Sequence, residues 1–280
     1  MPNWRHFTNE DDMSIQVNLR QNNAAYDSAA TAAGEASARI LDAQLGNAGT
    51  LAERIGLIVS LHPDGVVFST SLGMEDQAVL HAIAASSAAV DVFTLDTGRH
   101  FPETLETIAA SVERYGRDIR IVSPERRALD ELISRDGVLG FRQSLAGRKA
   151  CCDVRKVQPL DRELAGAEVW ITGLRRAQSG GRGDLPFASF DAQRGLIKVN
   201  PLADWSLADL ESYIEANRIP INPLHARGFP SIGCQTCTRA IKPGEDIRAG
   251  RWWWESADSK ECGLHSPGAD AGKRMPGGEA

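Results

Sequence analysis

The sequence predicts an α/β protein built on a doubly wound, mostly parallel sheet. Short apolar runs alternate with helix-length stretches between about residues 66 and 216, and the loops that leave the runs are brief and rich in Ser, Thr and Gly. Strands and helices alternating at this spacing are the pattern of βαβ crossovers. No internal repeat interrupts it.

Residues 1–25 are polar, rich in Asn and Gln, and predict a poorly ordered start. Tyr26 to Leu61 is Ala- and Leu-rich with spaced charges, which predicts one or two helices. Val66-Val67-Phe68 predicts a buried strand leading into the small-residue loop Ser69 to Gly73. Glu75 to Ser86 follows as a helix and Val90 to Leu95 as a second strand. Pro102, a favoured first helical residue, opens a helix that ends near Gly116. Ile119 to Val122 makes a third strand, Glu168 to Thr172 a further one, and Ser206 to Ala216 a helix. Beyond Pro220 the periodicity fades into Gly, Pro, Arg and Trp, which reads as a cofactor-binding lobe with a flexible tail. The expected division is 1–50 as a helical or poorly ordered segment, 51–245 as the α/β nucleotide-binding unit, and 246–280 as an arginine-rich segment and tail.

With 280 residues, 42% hydrophobic and 24% charged, the chain can bury one substantial core. No apolar run approaches the roughly 20 residues of a transmembrane helix, and Met1 to Glu10 lacks the apolar stretch of a secretory signal. A cytoplasmic protein with reduced thiols is therefore expected. The formal net charge of −6 weighs against nucleic-acid binding. Any anion site must come from a local concentration of Arg and Lys.

The five cysteines divide four to one. Cys151 and Cys152 are adjacent, Cys234 and Cys237 form a C-x-x-C pair, and Cys262 stands alone near the C-terminus. Four thiols suffice for zinc or an iron–sulfur cluster. Adjacent cysteines fit one tetrahedral zinc poorly but can reach two irons of a larger cube, so the spacing favours iron–sulfur. Arg148-Lys149 before the pair and Arg155-Lys156 after it set these residues apart from thiols buried as small hydrophobes. The fifth thiol reads as a mobile one that does chemistry.

Three loops fall at strand C-terminal ends, where open α/β sheets collect ligands. They are Ser69 to Asp76, Leu95-Asp96-Thr97-Gly98-Arg99, and Thr172-Gly173-Leu174-Arg175-Arg176. None is a Walker A loop, and the chain has no G-x-G-x-x-G fingerprint. Packing beside the thiols is the favoured reading of Trp252-Trp253-Trp254, over an adenine platform or a docking face. Arg182-Gly183-Asp184 reads as a surface turn, and His100 and His225 receive no role.

Taken together, these residues resemble the assimilatory adenylyl-sulfate reductases, the iron–sulfur branch of the phosphoadenylyl-sulfate reductase family, over about residues 55–265. The resemblance is carried by Cys-Cys-x-x-Arg-Lys at 151–156, Cys234-x-x-Cys237, the stretch Arg248 to Glu255, and Glu261-Cys262-Gly263-Leu264-His265. It implies an adenine-nucleotide α-hydrolase-like fold related to ATP pyrophosphatases. The Ser69–Asp76 loop departs from their Ser-Gly-Gly-x-Asp-Ser form, which speaks against ATP cleavage.

The resemblance further implies a [4Fe-4S] cluster on Cys151, Cys152, Cys234 and Cys237, and a nucleophile at Cys262. Lys156, Arg248, Arg251 and His265 would gather around a phosphosulfate. The nucleoside would lie against Ser69, Thr70, Ser71 and Gly73, with Leu95, Gly173 and the basic loop after it. Arg182 is the candidate for a further arginine at the substrate, beside Ser179-Gly180-Gly181, where the loop length differs from the family's. The implied activity is reduction of adenosine 5′-phosphosulfate to sulfite and AMP in sulfate assimilation and cysteine biosynthesis. Thioredoxin or a glutaredoxin-like dithiol would be the donor, and an S-sulfocysteine on Cys262 the intermediate. Homo-oligomerisation is left open. The alternatives are the 3′-phosphorylated substrate, alone or as well, an iron–sulfur redox sensor without turnover, and a tRNA-thiolating ATP pyrophosphatase. The altered loop and the negative charge disfavour the last.

Overall fold

A computed structural model describes residues 29–178 and 184–255. Residues 29–47 form helix α1, and Leu51–Leu61 form α2, whose start is fixed by a capping box between Thr50 and Glu53. Both helices lie within the stretch expected to be helical, whereas the stretch 1–25 falls outside the described residues. The βα alternation follows as β1 (Val66–Ser69), α3 (Met74–Ala85), β2 (Asp91–Leu95), α4 (Pro102–Tyr115) and β3 (Arg120–Val122). Helix α4 carries Pro102 at its first turn and ends on Gly116 in the left-handed conformation, φ 56°.

Next come α5 (Arg126–Asp136), α6 (Leu145–Cys152), a π-helical turn at Asp153–Val157, and α7 (Gln158–Leu164). Strand β4 (Val169–Ile171) leads to a hairpin of β5 (Ala188–Asp191) and β6 (Leu196–Val199), then to α8 (Leu207–Asn217). The sheet order is β3-β2-β1-β4-β6-β5. All pairings are parallel except β5 with β6. The hairpin and helices α5, α6 and α7 are additions to the elements expected from the sequence; the mostly parallel, doubly wound class is the one expected. Among the described residues no helix is long and apolar enough to cross a membrane.

Successive strand residues point to opposite faces, and both faces are covered. Val66, Phe68, Val92, Val169 and Ile171 join the core beneath α1, α2, α3 and α8. Val67, Phe93 and Trp170 join a second core with Leu160 and Leu164 of α7. The chain leaves β1 in one direction to reach β2 and β3, then returns to the other side of β1 as β4. That reversal splays the loops after β1 and β4 and opens a crevice at the C-terminal strand ends.

One buried ion pair ties α2 to the loop after β6. Arg54, 5% exposed, donates to both carboxylate oxygens of Asp204 at 2.6 and 2.8 Å and to Pro201 O at 2.7 Å. Its guanidinium also lies 4.5 Å over the Phe187 ring. Asp204→Asn should lower unfolding free energy by ~2 kcal/mol in denaturant titrations. That is less than the about 3–5 typical of a fully buried pair, because the Asp204 side chain remains 41% exposed. Hydrogen bonds from Arg54 hold the Asp204 carboxyl below the usual range, against the effect of its partial burial. This contribution is present above the unfolded-state pKa and is lost as pH falls through the depressed one. The difference between wild type and variant should therefore shrink in acid.

Candidate active site

The crevice is a cavity of about 260 Å³ whose walls come from six stretches of the chain. Its floor is the loop after β1. Thr70 N extends the ladder to Phe93 O at 2.8 Å, and Leu72, buried and at φ 60°, turns the chain. Ser71 donates from both N and Oγ to Asp76 Oδ2 at 2.6 Å. Gly73 starts α3 without a side-chain cap, which leaves N–H groups of the first turn for a ligand. Burial is the largest influence on Asp76 and raises its pKa to about 6, against the opposing bonds from Ser71.

The loop after β4 closes on this floor. A Cβ at Gly173 would run into Asp76 Oδ1 and press on Glu75 Cβ, so only glycine allows the approach. Arg175, 3% exposed, donates from Nε and Nη2 to Glu75 Oε1 at 3.0 and 2.7 Å. Arg176 donates to Leu185 O at 2.7 Å and stacks on Phe187. The arginines of this loop thus clamp protein to protein. Arg99 does the same: it donates to Val138 O at 2.8 Å and lies 4.4 Å over Phe141.

Besides Arg175, which is taken up by Glu75, the cations that line the cavity are Lys156, from the π-helical turn, with Arg248 and Arg251 from the C-terminal segment. Arg251 is 7% exposed. It donates to Ile232 O at 3.1 Å and to Ser231 Oγ at 3.4 Å, and stacks over Trp252 at 4.7 Å. Ser69, Thr70, Ser71, Gly73, Leu95 and Gly173, expected around a nucleoside, all line the same cavity. Arg182, Cys262 and His265 lie outside the described residues. Thr97, His100 and His225 also line the cavity. The two histidines had no motif around them to mark them.

A second, smaller pocket adjoins the cationic wall, and all four paired cysteines line it. Cys151 and Cys152 end α6. Cys237 N closes a short turn on Cys234 O at 2.9 Å, and Trp252 N then pairs with Cys237 O at 3.0 Å. Phe141 and Trp252 supply the apolar walls, with Trp254 packed behind. The expected packing of the tryptophan run beside the thiols thus holds for Trp252, 1% exposed, while Trp253 is 39% exposed.

Five cationic side chains share the pocket: Arg99, Arg148, Arg155, Lys156 and Arg251. Arg155 Nη1 donates to Thr97 O at 2.6 Å, and Cys234 Sγ lies 3.4 Å from Thr97 Oγ1. Burial works against ionising Cys234. Lys156, the Thr97 hydroxyl, Arg251 and Arg99 outweigh it, and the thiol pKa is lowered. Burial, then the neighbouring Cys234, pushes the Cys237 thiol up. Arg148, fully buried, grips both carboxylate oxygens of Glu255 at 3.0 and 3.1 Å and lies 4.6 Å over Trp252.

The donor set fits an anionic metal–sulfur group. Four thiols converge, and Arg155 Nε and Arg99 Nη1 are buried without a hydrogen-bond partner among the described residues. Among those residues, no three His, Cys, Asp or Glu side chains close to the spacing of a single metal ion.

The family model described as the phosphoadenosine phosphosulfate reductase domain matches residues 65–240. An adenosine 5′-phosphosulfate reductase of Agrobacterium fabrum is 48% identical over 91% of this chain and 94% of its own length. That of Rhizobium meliloti is 52% identical over 78% of this chain and 82% of its own. The crystal structure of a phosphoadenylyl-sulfate reductase from Candida auris, in complex with phosphate, superposes with a TM-score of 0.60 at 24% identity. It covers 72% of this chain and 95% of that one. That structure supports the fold, and the family model and the relatives support the descent: the chain belongs to the phosphoadenosine phosphosulfate reductase family.

Proposed function

We propose that the cleft binds adenosine 5′-phosphosulfate and that the chain reduces it to sulfite and AMP in sulfate assimilation. One observation carries the reading: Lys156, Arg248 and Arg251 converge on a cavity whose floor is the Ser69–Gly73 loop at the sheet's crevice. Relatives about half identical to this chain bear that activity in their names.

The chemistry needs a thiolate. A free cysteine, pKa about 8.5, is only a few per cent ionised at neutral pH. We assign the nucleophile to Cys262 and let the cations of the cleft, joined by His265, lower its pKa. The Cys262 thiolate attacks sulfur, the S–O bond to AMP breaks, and the enzyme holds an S-sulfocysteine. The arginines hold the fixed phosphosulfate oxygens through their planar forks, while Lys156 adds a point charge. Placed charge of this kind stabilises the leaving phosphate without reorganisation. A dithiol protein of the thioredoxin type then attacks Cys262 Sγ, sulfite leaves, and the second thiol of the partner resolves the mixed disulfide. Both electrons come from the dithiol. A reducing cytoplasm suits that donor.

The four paired thiols would hold a [4Fe-4S] cluster. When bound, it supplies fixed negative charge among the five cations rather than electrons. This chain's own residues do the rest: Lys156 lines both pockets and so carries the field of one into the other.

Anaerobic incubation of reduced, full-length protein with adenosine 5′-phosphosulfate should add one sulfonate mass, which thioredoxin removes. Cys262→Ser should form no adduct. If the wild-type protein forms it only with the 3′-phosphorylated nucleotide, the substrate assignment is wrong. Cys151→Ala should lose the visible iron–sulfur absorption and most of about four irons per chain. The same variant should expose the 220–255 segment to protease, because two parts of the chain then lose their common anchor. Iron retained in full would remove Cys151 from the ligand set.

A further inference from the structure

The floor of the cleft is the loop between β1 and α3, a place where backbone N–H groups commonly hold an anion. Here three of those groups are already engaged. Thr70 N donates to Phe93 O at 2.8 Å, Leu72 N to Thr70 Oγ1 at 3.0 Å, and Ser71 N to Asp76 Oδ2 at 2.6 Å. The Ser71 hydroxyl donates to the same carboxylate oxygen, also at 2.6 Å. These are short bonds of the kind a charged acceptor makes. Asp76 Oδ2 therefore sits where an oxygen of a bound anion would sit on this loop.

The carboxylate is held in that place. Asp76 is 8% exposed and belongs to the first turn of α3, where negative charge is favoured. Its other oxygen meets the loop after β4, since a Cβ at Gly173 would run into Oδ1. Leu72, buried and at φ 60°, keeps the floor loop in its turn. Burial raises the Asp76 pKa to about 6, which still leaves the group mainly ionised at neutral pH.

No cation neutralises it. Among the described residues Asp76 has no salt-bridge partner, and its charged neighbour is another carboxylate, Glu75. Arg175 is committed to Glu75 through Nε and Nη2, at 3.0 and 2.7 Å, and its Nη1 donates to Trp205 O at 3.3 Å. Lys156, Arg248 and Arg251 line the same cavity from other stretches of the chain. The cleft thus has a floor of one sign and a wall of the other.

We infer that Asp76 is a specificity-determining residue: its carboxylate fills the anion position of the floor loop and refuses a phosphate there. A nucleotide then enters with its uncharged nucleoside on the floor and its phosphoryl end toward Lys156, Arg248 and Arg251. Two effects act together, the occupation of both Ser71 donors and the repulsion between like charges in a site poor in water. The inference rests on the reductase reading and deepens it, by naming what sets the direction in which the nucleotide lies.

The test uses full-length, cluster-loaded protein under anaerobic conditions, with inorganic phosphate as the charged probe and adenosine as the uncharged one. Calorimetry would give the adenosine affinity with and without saturating phosphate. In wild type phosphate occupies the cationic wall alone, so adenosine affinity should change by less than about twofold. Asp76→Ala frees both Ser71 donors and removes the charge. Phosphate should then settle on the floor and weaken adenosine binding about tenfold. Asp76→Asn, which keeps an oxygen for Ser71 without the charge, should show a smaller loss. Crystals soaked in phosphate should carry an anion at Ser71 N in Asp76→Ala and none there in wild type. Because burial already disfavours the ionised carboxyl, both variants should fold, with cluster absorption as the control. A phosphate on the Ser71–Gly73 floor of wild type overturns the inference without recourse to any variant. So does an Asp76→Ala protein that binds adenosine equally well with and without phosphate. Should wild type bind no adenosine and form no sulfonate adduct, the reductase reading falls and takes this inference with it. Should wild type do both while the variants behave as it does, only the role of Asp76 falls.

Discussion

The segment that carries Cys234, Arg248 and Arg251 has almost no regular secondary structure, so its position depends on what crosses one thiol-lined pocket. A few hydrogen bonds reach over from the α/β body, such as Gln235 N to Arg99 O at 2.8 Å and Arg142 to Thr236 O at 3.2 Å. Bonds of this kind each contribute about 0.5–1.5 kcal/mol net, which is little against the entropy of ordering a long irregular chain. The larger resource is charge. Arg99, Arg148, Arg155, Lys156 and Arg251 crowd around four sulfurs, and cations so close together repel one another unless anions sit between them. The lowered pKa of Cys234 is the local sign of that demand. If the four thiols hold the proposed anionic group, binding it and placing the cations of the cleft would be one event, because Lys156 and Arg251 belong to both pockets.

The sheet imposes the complementary constraint. Because the strand order reverses between β1 and β4, the loops after them must diverge and yet meet again above the crevice. Gly173 against Asp76 and Arg175 against Glu75 make that meeting. These contacts consume the arginine that a reader of the sequence would assign to an anion. The anion-facing charge comes instead from the π-helical turn and from the far C-terminal segment, which bring cations to the crevice without crowding its floor.

The sequence foretold those parts of this arrangement that depend on local signals. Strands β1, β2, β3 and β4 stand out because runs such as Val66-Val67-Phe68 are apolar on both faces, as buried parallel strands must be. Helix α4 announces itself with Pro102 and Gly116. Helix α5 does not, because it buries only Leu132 and its other residues are mostly charged. The β5–β6 hairpin escaped for a different reason: β6 inserts next to β4, ahead of β5, and nothing local encodes that order. In the site, the grouping of the four cysteines and the place of the Ser/Thr/Gly loop at the cleft were legible. The place of His225 in the cleft wall was not, since no motif around it sets it apart. Neither was the structural use of Arg99, Arg175 and Arg176, because a guanidinium that clamps a carbonyl reads the same in sequence as one that awaits a ligand.

The grip of Arg148 on Glu255 has a kinetic consequence. It fixes the point from which the remaining chain departs, and Cys262 lies seven residues beyond it. At about 3.3–3.6 Å per residue, that thiol is tethered within about 25 Å of a buried anchor. A short tether holds its end group at an effective concentration on the order of millimolar. In the cycle proposed above, attack on a bound nucleotide would then be unimolecular and indifferent to enzyme concentration. Removal of the sulfonate would require a second protein to find the same thiol by diffusion, at a rate that scales with the supply of that partner. The anchor would thereby separate the proposed cycle into one half governed by chain length and another governed by the redox state of the surroundings.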